Sequence, residues 1–243
     1  MDLKNRSDIV TVPFLSDGLM LKGTLHFPKI RKPPFVVGSH GLMSSGDSPK
    51  QIALATKLSD AGIAFFRFDH RGRGQSEGDF KTATSLGTRI NDLMNAIEII
   101  GSRQDMGELL GLFGSSMGGA VCLAAASLIP VPAMVTVAAP IQSRTIIRKQ
   151  HGKERMDVEN VFFNDEKRQF DLTDRLQSIR NILIFHGDAD DVVPFSNALD
   201  LYEKVSEPKR LIRQHGGDHL MSDPKHQAEF IHESTSWFVQ TQC

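Results

Sequence analysis

Ser116 lies in Gly114-Ser115-Ser116-Met117-Gly118, directly after the apolar run Leu109 to Phe113 and before the helix-like run Ala120 to Leu128. A serine with small residues two before and two after it, where a strand turns sharply into a helix, is the pattern of a nucleophile elbow. The turn forces strained dihedrals on the serine, tolerates no bulk at the flanking positions, and lifts the hydroxyl above the sheet. The chemistry open to it is attack on an electrophilic carbonyl. The amide of Met117, free at a helix N-terminus, is then a donor to the developing oxyanion.

A second stretch, Gly74-Gln75-Ser76-Glu77-Gly78, fits the same pattern. It is separated from the strand-like run Ile63 to Phe68 by a polar, glycine-rich loop, and Asp79-Phe80-Lys81 after it reads as no helix start. Ser76 is therefore expected to be a loop residue.

Serine needs a base to take its proton and an acid to orient and stabilise the imidazolium. His186-Gly187-Asp188-Ala189-Asp190-Asp191-Val192-Val193-Pro194 follows the apolar run Ile182 to Phe185, which puts its acids at the C-terminal sheet edge where open α/β folds bind ligands. Asp190 is the candidate acid, with Asp188 and Asp191 competing in the same loop. His219, in His215-Gly216-Gly217-Asp218-His219 before the last helix, is the candidate base, and His215 is the alternative. The i, i+4 spacing of His215 and His219 resembles a metal pair, but the glycines between them oppose the helix such a pair requires. Asp188-Ala189-Asp190 lacks the glycine and terminal glutamate of a calcium loop. No metal site and no cofactor are expected. The run Phe35 to Val37 leads into Gly38-Ser39-His40-Gly41-Leu42-Met43, and loop position makes the Leu42 N–H the second oxyanion donor. His40 reads as a residue that orders this loop.

These residues need a scaffold that brings several loops to one edge. Ile9 to Phe14 and Leu19 to Phe27 form a hairpin pattern around Ser16-Asp17-Gly18, a turn that wants positive φ. Phe35 to Val37, Ile63 to Phe68, Leu109 to Phe113, Met134 to Ala138, Ile182 to Phe185 and Lys209 to Arg213 follow as short, largely apolar runs. They alternate with helical patterns over Gln51 to Ala61, Ser85 to Ile100, Met117 to Leu128, Ser196 to Val205 and Pro224 to Phe238. This rhythm implies a mostly parallel central sheet buried on both faces, with an antiparallel N-terminal hairpin. Ile141 to Arg180 breaks the rhythm. It is polar, helix-compatible over Asn164 to Arg180, and too long for an ordinary loop, so it is expected to form a small cap. Arg144 to Arg155 holds five basic residues against one acid, a pattern of solvated surface.

With 243 residues the chain suits one domain, residues 1–243. Its 28 basic and 29 acidic side chains leave no global field to recruit nucleic acid or an anionic membrane. Cys122 and Cys243 form no disulfide framework, which fits a reducing cytoplasm. No secretory signal or membrane-span pattern is visible.

At His40-Gly41, Asp69 to Ser76, the elbow around Ser116, His186-Gly187 through Pro194, and Asp218-His219, the chain resembles the α/β-hydrolase superfamily over nearly its whole length. Within it, the chain is similar to small-capped cinnamoyl and feruloyl esterases and serine aminopeptidase-like hydrolases. The resemblance implies the α/β-hydrolase fold, a triad of Ser116, Asp190 and His219, and oxyanion amides on Leu42 and Met117. Asp218 departs from the small residue that relatives often carry before the histidine, and sets a carboxylate where it can shift the pKa of His219. The expected function is hydrolysis of small carboxylic esters through an acyl-enzyme. The rivals are a thioesterase or peptidase with the same triad, and a non-catalytic ligand-binding member of the fold.

Overall fold

A computed structural model describes residues 8–147 and 168–242. Strands β1 (Asp8–Ser16) and β2 (Leu19–Phe27) pair antiparallel. The turn between them has Asp17 at φ 48° and Gly18 at φ 81°, the double positive φ whose twist suits a two-residue hairpin.

Next come β3 (Phe35–Ser39), β4 (Ala64–Phe68), β5 (Leu109–Ser115), β6 (Ala133–Val137), β7 (Ile182–Gly187) and β8 (Lys209–Gln214). The eight strands form one sheet in the order β1-β2-β4-β3-β5-β6-β7-β8. β2 also pairs antiparallel with β4, and from β4 to β8 every pairing is parallel. Every residue of β3, β4, β6 and β7 is buried, which is why these strands are apolar at most positions and do not alternate with polar residues.

The strand period of two divides the core between the faces. Phe35, Val37, Phe66, Ile182 and Ile184 pack on one side, whereas Val36, Phe65, Leu183 and Phe185 pack on the other. Helices α1 (Pro49–Asp60) and α6 (Pro224–Thr241) cover the second face through Leu54, Leu58, Phe230 and Phe238. Helices α3 (Leu86–Gly101), α4 (Met117–Ala126) and α5 (Ser196–Lys204) cover the first through Leu93, Val121 and Leu201. α4 is buried along nearly its whole length, consistent with a helix that is apolar all round. α3 starts at a capping box between Ser85 and Thr88.

Two expectations need correction. Asp79-Phe80-Lys81 is a helix start: the Asp79 carboxylate accepts from Thr82 N and caps the single turn α2 (Phe80–Ala83). Four residues carry no readable period, so only the cap advertises the turn. Ser76 is nonetheless a loop residue, its hydroxyl donating to the Asp69 carbonyl (2.6 Å) and accepting from Lys22 N (2.9 Å). Second, the described part of Asn164 to Arg180 holds a 3₁₀ helix over Thr173–Ser178. Residues 148–167, with most of the basic stretch, lie outside the described residues. Among those described, Gln142 bridges Asp171, and the Ile147 amide donates to the Val192 carbonyl at 2.7 Å. The base of the segment is thus tied to the loop that carries Asp190. No helix among the described residues is long and apolar enough to cross a membrane.

Candidate active site

Ser116 follows β5 and immediately precedes α4, with φ 54° and ψ −124°, a conformation that costs on the order of 1–3 kcal/mol for a residue with a Cβ. The surroundings hold it there. Its amide donates to the Val137 carbonyl (2.8 Å), and its carbonyl accepts from Gly119 N (2.8 Å). A Cβ on Gly114 would strike the Gly118 backbone, and one on Gly118 would strike the carbonyls of Ser39 and His40.

Parallel pairing of β5 through β8 sends the loops after β5, β7 and β8 to the same edge. There His219 Nε2 lies 3.0 Å from Ser116 Oγ, and His219 Nδ1 lies 2.8 Å from Asp190 Oδ2. Asp190 Oδ1 accepts from the amides of Val192 (2.9 Å) and Val193 (2.8 Å). Burial alone would raise the pKa of this carboxyl. Hydrogen bonds from His186, His219 and the Val193 amide outweigh it and hold the group well below the usual carboxylate range. The structure therefore brings Ser116, His219 and Asp190 into one hydrogen-bonded chain with a fixed negative charge at its far end.

The competing residues are employed elsewhere. The Asp188 carboxylate accepts from Arg213 Nε (2.8 Å) and the Gly216 amide (2.6 Å), and sits 3.2 Å from His215 Nδ1. It pins the loop that leads to His219. Asp191 is exposed. His215 has a side chain 81% exposed, whereas both ring nitrogens of His219 face Asp190 and Ser116, so the pair is not arranged around a common point. No group of three or more His, Cys, Asp or Glu among the described residues could hold a metal ion. The Asp218 carboxylate accepts from the amide (2.8 Å) and hydroxyl (2.6 Å) of Ser222. Through these two bonds it shapes the turn after His219.

Met117 is the first residue of α4, and the first amides of a helix have no intrahelical acceptor. Leu42 follows Gly41, at which a Cβ would stand 3.5 Å from Ser116 Cβ and from the Ser115 carbonyl. The loop after β3 thus lies backbone-first against the elbow. His40 orders it: Nε2 accepts from the His70 amide (3.0 Å), which leaves the proton on Nδ1 to donate to the Gly41 carbonyl (2.7 Å).

The serine aminopeptidase S33 family, Hydrolase_4, matches residues 32–158. The chain belongs to this α/β-hydrolase family. It is 30% identical over 215 residues to the uncharacterized protein YfhR of Salmonella typhi, an alignment covering 85% of this chain and 71% of that one. Palmitoyl-protein thioesterase ABHD10 of Mus musculus, a mitochondrial protein, is 23% identical over 216 residues, covering 79% and 71%. Est1E from Butyrivibrio proteoclasticus, solved with ferulic acid bound, superposes with a TM-score of 0.78 at 17% identity, covering 95% and 99%.

Three groups of this hydrolase escaped the reading of the sequence. His186 is buried, donates from Nε2 to the Val193 carbonyl (2.8 Å), and lies 3.4 Å from Asp190 Oδ2. Its offset of four from the acid was the available signal. Lys50, on α1, donates to the Leu220 carbonyl (3.2 Å) and braces the turn after His219. Asp92, on α3, is fully buried and accepts from Ser16 Oγ (2.7 Å), the Arg71 amide (3.1 Å) and Arg71 Nε (2.9 Å), locking the loop after β4 to the N-terminal hairpin. No sequence spacing announces the last two contacts, because each joins distant elements.

Proposed function

We propose that this S33-family hydrolase cleaves carboxylic esters of small molecules through a Ser116 acyl-enzyme. The unbroken chain Ser116–His219–Asp190 carries this reading. His219 takes the Ser116 proton as Oγ attacks the ester carbonyl, and the Leu42 and Met117 amides receive the oxyanion. Collapse of the tetrahedral species expels the alcohol, protonated by His219. Water, deprotonated by the same imidazole, then releases the acid and restores Ser116. Asp190 stays ionised throughout and stabilises the imidazolium. No step calls for a cofactor.

A thioester passes through the same tetrahedral species, and similarity to a protein named palmitoyl-protein thioesterase favours that as the second reading. A purely ligand-binding role leaves the hydrogen-bonded Ser116 without purpose. Turnover of a panel of aryl esters, alkyl esters, thioesters and aminoacyl anilides decides among these readings. Esters are expected to lead, and a panel led by thioesters or anilides contradicts the first.

Residues 141–180 act as the cap that selects substrate, a reading supported by the tie from Ile147 to the acid loop. Replacing the segment with a short Gly-Ser linker is expected to reorder acyl preferences while Ser116 stays reactive. An unchanged ranking in a folded protein would remove the cap role. Buried, free Cys122, its thiol pushed well above the ordinary thiol range by burial, accords with a cytoplasmic setting. Secretion of the native protein into an oxidising compartment would overturn that placement.

A further inference from the structure

Arg89, on α3, is fully buried, yet makes no ion pair with a described residue. Its Nε and Nη1 have no hydrogen-bond partner among those residues. Nη2 alone is used: it lies 3.1 Å from His40 Nδ1 and donates to the carbonyls of His40 (3.2 Å) and Gly41 (3.3 Å). Burial lowers its pKa to about 9, so it remains a cation at neutral pH. An unpaired buried charge weakens the fold, and a methionine of similar length would cost far less. The charge therefore has to be explained by what it touches.

It touches the peptide group that carries a proposed oxyanion donor. The Gly41 carbonyl and the Leu42 N–H belong to one planar trans unit and point in opposite directions, so whatever fixes the carbonyl aims the amide. Three donors converge on that carbonyl: His40 Nδ1 at 2.7 Å, the Ser44 amide at 3.2 Å and Arg89 Nη2 at 3.3 Å. Donation to the oxygen, above all from a cation in a low-dielectric setting, polarises the unit and strengthens its N–H as a donor. The same loop lies against Ser116 at Gly41.

Building on the Ser116 hydrolase reading, we propose that Arg89 is a positioning residue for the oxyanion site, its buried guanidinium orienting and polarising the Gly41–Leu42 peptide toward the oxyanion formed at Ser116. The test uses a trifluoromethyl ketone, which accepts Ser116 Oγ at its carbonyl carbon and leaves an oxyanion, beside the matching alcohol, which cannot. Arg89→Met is expected to lower kcat by about tenfold to a hundredfold, less than deleting a whole donor, with KM little changed. Ketone affinity falls in parallel while alcohol affinity holds. Should thermal melting show Arg89→Met unfolded, Arg89→Gln, uncharged but still able to reach a carbonyl, carries the same comparison with a smaller loss. Unchanged kcat and ketone affinity, or equal losses for ketone and alcohol, overturn the proposal while leaving the Ser116 reading intact. A wild-type protein that neither binds the ketone more tightly than the alcohol nor reacts with a fluorophosphonate overturns both.

Discussion

His219 Nε2 stands 3.0 Å from Ser116 Oγ although the two residues are 103 positions apart in the chain. The contact is made by the order of the sheet: β5 and β8 run parallel with β6 and β7 between them, so the loops after β5 and β8 open at one edge. Asp188 sharpens the approach by tying the Gly216 amide to the loop after β7. The site is thus set by strand order first and by loop hydrogen bonds second.

The acid can be identified by comparing three variants. Asp190→Asn removes the charge that both orients His219 and stabilises its protonated form, and is expected to lower kcat by about 10³- to 10⁴-fold. Asp188→Asn loosens the loop and should cost about tenfold or less, and exposed Asp191→Asn less still, on the scale of a group that does not touch the reacting atoms. Steady-state kinetics on one aryl ester measures all three. A larger loss at Asp191 than at Asp190 would misplace the acid.

Gly118→Ala tests the elbow. The new Cβ meets backbone carbonyls of Ser39 and His40, which cannot swing away as a side chain can. The strand-to-helix turn must shift, with a stability loss of about 1–3 kcal/mol and an activity loss on the order of a hundredfold from misplacement. Wild-type activity and melting temperature in this variant would contradict the packing described.

Stability should fall as the pH drops below about 6.5, the ordinary histidine value. Burial, aided by Arg67, pushes His26 down to about 4. Burial, aided by Arg89, pushes His70 down to about 3 and His40 well below its usual value. These rings are neutral in the fold, but the unfolded chain protonates them, so the unfolded state binds more protons between about pH 6.5 and pH 3–4 and is favoured there. Each contributes a slope of about 1.4 kcal/mol per pH unit within that window. Urea midpoints measured from pH 7.5 to pH 4.5 should decline steadily; a flat profile is the contrary result.

Activity is expected to survive chelation. The proposed chemistry stabilises the oxyanion with backbone amides in place of a Lewis acid, and the His215 side chain is bound to Asp188. Loss of hydrolysis in EDTA that zinc restores would reopen the metal reading.

Much of this was legible because it is local. The apolar runs became β3 to β8, Asp17-Gly18 made the hairpin turn, and the small residues around Ser116 announced a crowded strand-to-helix corner. Asp190 could be ranked above Asp188 only by residue pattern. The structure separates them through long-range contacts, Asp190 with His219 and Asp188 with Arg213. α2 was missed because one capped turn has no period. Arg89 was invisible as anything but a charge on a helix, since a sequence does not reveal that a guanidinium is buried beneath the loop of Gly41.

The most direct measurement is labelling with a fluorophosphonate, which reacts quickly only with an activated serine, followed by peptide mass spectrometry. A single adduct on Ser116, abolished when His219 is replaced by alanine, is the predicted result. An adduct on Ser76, or no adduct on a folded protein, would contradict the assignment of Ser116 as the nucleophile.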